Sequence, residues 1–352
     1  MTDVNLAIQP ARGRISVGAI LAKLGPLIGL IFVYVLFAIL TPLLGPQHFA
    51  TMSNLEQIFR QTTVVGIAAL GMTMIIISGG IDLSVGSTLA MSVVVVAWVL
   101  DRTNGQGVVK AAFAGIMAAT ICGIIMGFLV TVLRLSPFIA SLGLWGAIRG
   151  MAKGACELHY HLYNSATSAN IEVISDDWKH TWLKEMILPL DDSHRWMIFP
   201  PSVWLMLLLA AIIAATLRYT RFGRHIFAIG SNEQTARLCG INVGWTKFRI
   251  YALAGLLVGI AAVLEFAWIA TGEPTDRMGA ELDVIAAVVI GGASLNGGQG
   301  SIFGTLIGAL IMTVVSNGCS KVGLSNWVEE IATGGIIILA VSLDRLRHRR
   351  AT

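Results

Sequence analysis

Long apolar stretches separated by short polar breaks account for most of the chain. They fall near residues 22–41, 55–78, 83–100, 110–133, 137–154, 202–217, 248–270, 283–295, 301–319 and 327–343. Most approach the ~20 residues an α-helix needs to cross a bilayer. The pattern predicts an all-α fold: a polytopic transmembrane helix bundle of about ten spans, forming one domain over residues 1–352. The eighth stretch is short and reads as a re-entrant or broken helix. Ten crossings place the N- and C-termini on the same side. Composition agrees, with 55% hydrophobic and only 12% charged residues, against ~25% charged in soluble domains. Arg12, Arg14 and Lys23 ahead of the first stretch resemble the start of a secretory signal. Thr41-Pro42 ends that stretch without a small-residue cleavage site, so a retained span is expected.

The break at residues 218–249 stands apart from the others. Arg218, Arg221 and Arg224 flank it on one side, Lys247 and Arg249 on the other. Between them, Ser231 followed three residues later by Gln234 reads as a capping box. Gly240 suits a left-handed helix stop, with Ile241 contacting back onto the last turn. A helix of about two turns is too short to hold alone in water. A partner protein for it to rest on is the preferred reading.

Charge orients the bundle. Arg12, Arg14, Lys23, Arg134, the 218–249 cluster and the arginines at 345–350 fall on one side of the alternating spans. Glu56, Asp101, Glu157, Asp176, Asp177, Asp191, Asp192, Glu273 and Asp276 fall on the other. The positive-inside rule makes the first side cytoplasmic. Residues 1–21 are then a cytoplasmic N-terminus, 218–249 a cytoplasmic loop, 344–352 a basic tail against anionic lipid headgroups, and 155–200 an extracytoplasmic insertion. Within the insertion, Trp182–Leu188 reads as an interfacial helix. His159, His161, His180 and His194 match no zinc spacing. Cys122, Cys156, Cys239 and Cys319 are too scattered for a disulfide or metal framework. No cofactor is expected, and no nucleic-acid partner, because the basic residues sit at helix ends.

Two further breaks lie close to membrane depth. Ser78-Gly-Gly-Ile-Asp-Leu-Ser-Val-Gly-Ser87 contains Asp82. Asp82 is either the N-cap of the third span or, with Ser84, the lining of a polar permeation path. Gly291-Gly-Ala-Ser-Leu-Asn-Gly-Gly-Gln-Gly-Ser301 is glycine-rich but has no Gly-Lys-Ser/Thr, so it is not a nucleotide phosphate loop. Irregular backbone at this depth needs protein or a water-filled cavity around it, and a turn at a cavity's cytoplasmic edge is the preferred reading. Gly123-x-x-x-Gly127, Gly255-x-x-x-Gly259 and Gly300-x-x-x-Gly304-x-x-x-Gly308 put small residues where helices can approach closely.

Gly80-Ile-Asp-Leu-Ser-Val-Gly-Ser87, Arg221-Phe-Gly-Arg through Gly240-Ile-Asn-Val243, and Glu281-Leu-Asp through Gly300 resemble motifs of bacterial ATP-binding-cassette (ABC) sugar importers. The likeness is to their permease subunits, of the ribose/xylose/galactose type, over residues 50–154 and 200–343. It implies a multi-pass inner-membrane protein that is not itself an enzyme. The implied partners are a cytoplasmic ABC ATPase subunit, a second permease subunit (identical or a paralogue) and a periplasmic sugar-binding protein. The resemblance makes the short helix a coupling helix, with Ser231, Asn232, Glu233, Ala236, Arg237, Gly240 and Ile241 as the ATPase-coupling residues. Residues 155–200 depart from the family pattern in length and in their His and Trp content.

The implied function is import of a small neutral sugar by alternating access, driven by hydrolysis in the separate ATPase. A neutral polyol calls for polar contacts rather than a counter-charge, and Asp82, Ser84, Asn296 and Gln299 are the candidates for its path. The alternative is an ion-coupled secondary transporter of a small polar solute, with Glu265 and Asp283 as the relay. A membrane-embedded enzyme has no metal pattern, nucleophile–base pair or cofactor loop to support it.

Overall fold

The computed structural model describes residues 17–44, 48–163, 167–173, 175–187 and 199–349. Arg12, Arg14, Leu188, Asp191, Asp192, His194 and Arg350, which the sequence reading used, lie outside the described residues. Among the described residues thirteen α-helices follow one another: α1 (Val17–Leu44), α2 (Met52–Ile77), α3 (Val85–Arg102), α4 (Val108–Thr131), α5 (Pro137–Tyr163), α6 (Trp182–Glu185), α7 (Pro201–Tyr219), α8 (Arg221–Ser231), α9 (Glu233–Leu238), α10 (Val243–Ile269), α11 (Ala280–Ile290), α12 (Ile302–Val322) and α13 (Asn326–Arg349). Seven of them, α1 to α4, α7, α10 and α12, are long and apolar enough to cross a membrane. Each of the ten expected stretches coincides with a helix. Two of these, α5 and α13, are as long as the seven but more charged, carrying Arg149, Lys153 and Glu157 or Glu329 and Glu330.

The helices are layered around α2, which is almost wholly enclosed, whereas α1 lies at the edge. α10 packs against α2, α3 and α4, while α11 and α12 pack against α2 from another side. Small residues set the α4–α10 spacing: a Cβ on Gly123 would lie 2.9 Å from the Cα of Gly255. The glycine pairs expected to bring helices together therefore do so.

Three elements differ from expectation. α8 is a helix where only a polar flank was read. The Thr220 hydroxyl caps it by accepting from the Gly223 N–H at 3.1 Å, and Ile226 and Ile229 are buried while Arg221 and Arg224 face out. α10 begins at Val243, ahead of its apolar stretch, because the Asn242 side chain accepts from the Trp245 N–H at 2.9 Å and draws a polar turn into the helix. The helix expected over 182–188 shrinks to the single turn α6, held down by Lys184, whose ammonium donates to the Ala267 carbonyl at 2.9 Å.

The eighth stretch yields a half-helix. The 11 residues of α11 span about 16 Å, roughly half of a ~30 Å hydrocarbon core. Residues 291–301 continue without helix, and the Gly298 N–H donates to the Ile77 carbonyl at 2.8 Å, which pairs this irregular backbone inside the protein.

The two ends of the bundle differ. At one end, β1 (Ile171–Glu172) pairs antiparallel with β2 (Thr271–Gly272), tying the 155–200 insertion to the α10–α11 connection. The Arg149 guanidinium donates to the Pro274 and Asp276 carbonyls there, at 2.8 and 3.0 Å. At the other end, residues 78–84, the α8–α9 segment and residues 291–301 meet.

Candidate functional site

At that second end, α9 is one and a half turns long and closed at both termini. Its N-cap is Asn232, whose side-chain oxygen accepts from the Thr235 N–H at 2.9 Å with an extended backbone (φ −160°). This corrects the capping box expected from Ser231: the unforeseen α8 runs through Ser231 and keeps it helical, leaving the next residue to cap. The C-terminal stop is as expected. Gly240 has φ +81°, its N–H donates to the Arg237 carbonyl at 3.0 Å, and the Ile241 N–H donates to the Ala236 carbonyl at 3.1 Å. These two bonds form a Schellman motif.

The inner face of α9 rests on its own chain. Ala236 is buried with Ile229 and Val243, and Ile241 packs alongside. Glu233 ties the helix to α10, accepting from Arg237 Nη2 and Lys247 Nζ, each at 2.6 Å. Partial burial pushes the Glu233 carboxyl up, but the hydrogen bonds and charges of Lys247 and Arg237 outweigh it and hold it below the usual carboxylate range. The outer face is open. Ser231, Asn232 and Arg237 are exposed, and Leu238 is 88% exposed at the tip. The sequence reading missed Leu238 and the Lys247 bridge. Glu233–Arg237 is legible as an i,i+4 pair, but no local spacing links Glu233 to Lys247.

Directly behind α9, the backbone of α8 touches both polar breaks. A Cβ on Gly230 would sit 1.7 Å from the Ile77 carbonyl oxygen and 2.5 Å from the Gly298 nitrogen. The end of α2, the 78–84 break and the 291–301 break therefore share one junction with α8.

The four candidate path residues are divided by the fold. Asp82 and Ser84 are buried together, with Asp82 Oδ1 accepting from the Ser84 N–H at 2.8 Å and the Ser84 hydroxyl at 2.6 Å. Asp82 is thus bonded to the residue that opens α3 rather than to the first-turn amides an N-cap would serve. Both line a small recess against Gly123 and Gly255. Asn296 and Gln299 are exposed on the neighbouring loop, which is closed by Ser294 N–H donating to the Gln299 carbonyl at 3.1 Å.

A polar recess lies at the opposite end, beside the ladder. Arg60 and Gln61 of α2, Glu265 and Trp268 of α10, Arg277 and Asp283 line it. Glu265 is buried and holds Arg277 in a two-point pair, Nε to Oε1 at 2.9 Å and Nη2 to Oε2 at 2.8 Å. Arg60 donates from Nη1 to the Ile187 carbonyl at 3.0 Å, and its guanidinium carbon lies 5.4 Å from the Trp268 ring centre. Sequence reasoning noted Glu265 and Asp283 but not this grouping, which joins residues up to about two hundred positions apart with no shared motif. Among the described residues no cluster of three metal-ligating side chains occurs.

Residues 54–341 match the family described as the branched-chain amino acid transport system / permease component. The chain belongs to that family. The ribose import permease protein of Escherichia coli (strain K12) is 38% identical over 320 residues, covering 91% of this chain and 93% of that protein. The ribose import permease protein of Bacillus subtilis (strain 168) is 35% identical over 346 residues, covering 96% and 97%. The xylose transport system permease protein of Haemophilus influenzae is 33% identical over 345 residues, covering 86% and 91%. No solved structure matches the chain. The protein is a transmembrane permease component of an ABC importer in the bacterial inner membrane, and not itself an enzyme.

Proposed function

We propose that this permease moves a small neutral sugar by alternating access, powered by a separate cytoplasmic ABC ATPase that docks on α9. The observation that carries the reading is the construction of α9. It is capped at both ends, buttressed by Ile229, Val243 and the Glu233–Lys247 bridge, and it presents Leu238 outward. A helix so braced behaves as a rigid lever rather than a fraying loop. Its motion reaches the 78–84 and 291–301 breaks through the Gly230 junction. In this reading Asp82, Ser84, Asn296 and Gln299 belong to the inner part of the path, and the two breaks change their mutual fit during the cycle.

The end bearing α9 carries Arg218, Arg221, Arg224, Arg237, Lys247 and Arg249, so the positive-inside rule makes it cytoplasmic, together with both termini. Ten crossings follow if α5, α11 and α13 traverse with the seven longer apolar helices, α11 being completed by residues 291–301. The insertion then faces the periplasm, where a sugar-binding protein delivers the solute. The second permease subunit packs against α5. A Cβ added at Gly143, Gly146, Gly150 or Gly154 on that helix would meet nothing within 4 Å, and small residues of this kind favour close helix contact in lipid.

The ion-coupled alternative is disfavoured by Glu265, whose two oxygens are both engaged by Arg277. Uptake by sealed vesicles holding the whole importer tests the proposal. Sugar accumulation that requires ATP and survives an uncoupler is expected. Accumulation that an uncoupler abolishes while ATP is present would reject it.

A further inference from the structure

We propose that the recess between α2, α10, α11 and α12 is a receiving site for a neutral polyol arriving from the periplasm. Arg60, Gln61 and Asp283 would hydrogen-bond its hydroxyls, and Trp268 would cover its apolar face. The assignment rests on the importer reading above and adds a second, outer site distinct from Asp82, Ser84, Asn296 and Gln299.

The lining chemistry points to the ligand class. Two guanidinium groups, Arg60 and Arg277, and two carboxylates, Glu265 and Asp283, line the recess. Donors and acceptors are interleaved, which suits hydroxyls, since each one both donates and accepts. The Glu265–Arg277 pair is spent on itself and acts as a fixed wall. Arg60 is only partly used: Nη1 reaches the Ile187 carbonyl, while the buried Nε has no hydrogen-bond partner. A buried donor left in that state is destabilising, and a bound hydroxyl or its water would satisfy it. Trp268 is 38% exposed and forms an aromatic wall, with Leu264 and Met312 adding apolar surface.

Ile187 gives the recess a further property. It belongs to the 155–200 insertion, and its carbonyl is the group that positions Arg60. The 155–200 insertion therefore supplies part of the wall of the site, and selectivity among sugars would be sensitive to it.

The test uses the whole importer in right-side-out vesicles. Ser316→Cys places a thiol on the recess wall with little change in size, and Thr313→Cys is the second probe should the first impair uptake. A membrane-impermeant thiol reagent is added outside, with the unsubstituted chain as baseline. D-ribose, D-xylose, D-galactose, gluconate and L-leucine are compared as protectants. The new thiol is expected to react, and the sugar that the same vesicles accumulate is expected to slow the reaction. At about ten times its dissociation constant the slowing is about tenfold. Gluconate and leucine leave the rate unchanged, and Trp268→Ala on the probe background removes the protection. A thiol that is unreactive from outside, or reactive but unprotected by an accumulated sugar, overturns the recess assignment while leaving the importer reading intact. Protection by leucine or gluconate in place of a sugar also overturns it. Vesicles that accumulate no sugar with ATP instead reject the importer reading, and the recess assignment falls with it.

Discussion

Gly240 ends α9 with a φ of +81°, a conformation that side chains with a Cβ adopt at a cost of about 1 kcal/mol or more, rising for β-branched residues. Nothing lies within 4 Å of where its Cβ would be, so the strain is purely conformational. Gly240→Val is therefore expected to insert normally yet lower sugar uptake per ATP hydrolysed, measured as a coupling ratio in reconstituted vesicles. An unchanged ratio would remove the stop from the mechanism. Asn232→Ala deletes the opposite cap, costing about 1 kcal/mol of local helix stability, and faster amide exchange at residues 233–236 is the expected readout. The Glu233 bridge is a different case. Its partners are partly solvated, and such pairs contribute only about 0–1 kcal/mol, so Glu233→Gln leaves thermal stability unchanged and lowers coupling. Because the folded carboxyl is held below its ordinary range, the bridge is complete above the unfolded value of about 4.3. It is lost only as pH falls through the lower folded value. The coupling ratio of the unsubstituted protein should therefore show no step attributable to Glu233 between about pH 6 and 8. At this scale Gly240 was legible because a left-handed stop has a residue signature. Ser231 misled because Asn232 beside it caps equally well and the choice depended on α8.

At the scale of elements, apolar length located the helices, and polar chemistry displaced their ends. α8 escaped the pattern because it is short and amphipathic: Phe222, Ile226 and Ile229 alternate with Arg221, Arg224 and His225, so no continuous apolar stretch registers. The α4–α10 contact was legible as spaced glycines, and it makes a firm prediction. Gly123→Leu must push against the Tyr251 carbonyl and the Gly255 backbone, and overpacking of this kind costs about 1–3 kcal/mol. A lower unfolding temperature of the purified permease in detergent is expected, whereas Gly146→Leu on α5, open within the single chain, should leave the isolated subunit's stability unchanged and weaken subunit pairing instead. Equal effects of the two substitutions would contradict the assignment of α5 to the subunit interface. The recess around Arg60 and Trp268 was not legible, because α2, α10, α11 and α12 bring its residues together only through the packing of the whole bundle.

At the scale of the molecule, α2 and α10 join the end that bears α9 to the end that bears the Arg60 recess. α2 runs from Arg60 and Gln61 in the recess to Ile77 at the Gly230 junction, and α10 runs from Lys247 beside α9 to Trp268 in the recess. A displacement of α9 thus has a direct mechanical route to the opposite end, with the breaks at 78–84 and 291–301 as the places where backbone can yield. The central claim is that α9 is the point at which a partner ATPase grips the permease. A photoreactive benzophenone side chain at Leu238, in the whole importer during ATP-driven uptake, tests it most directly. The account predicts a covalent adduct between the permease and the ATPase subunit. An importer that transports normally while the probe yields no protein adduct, or marks only lipid, would contradict it.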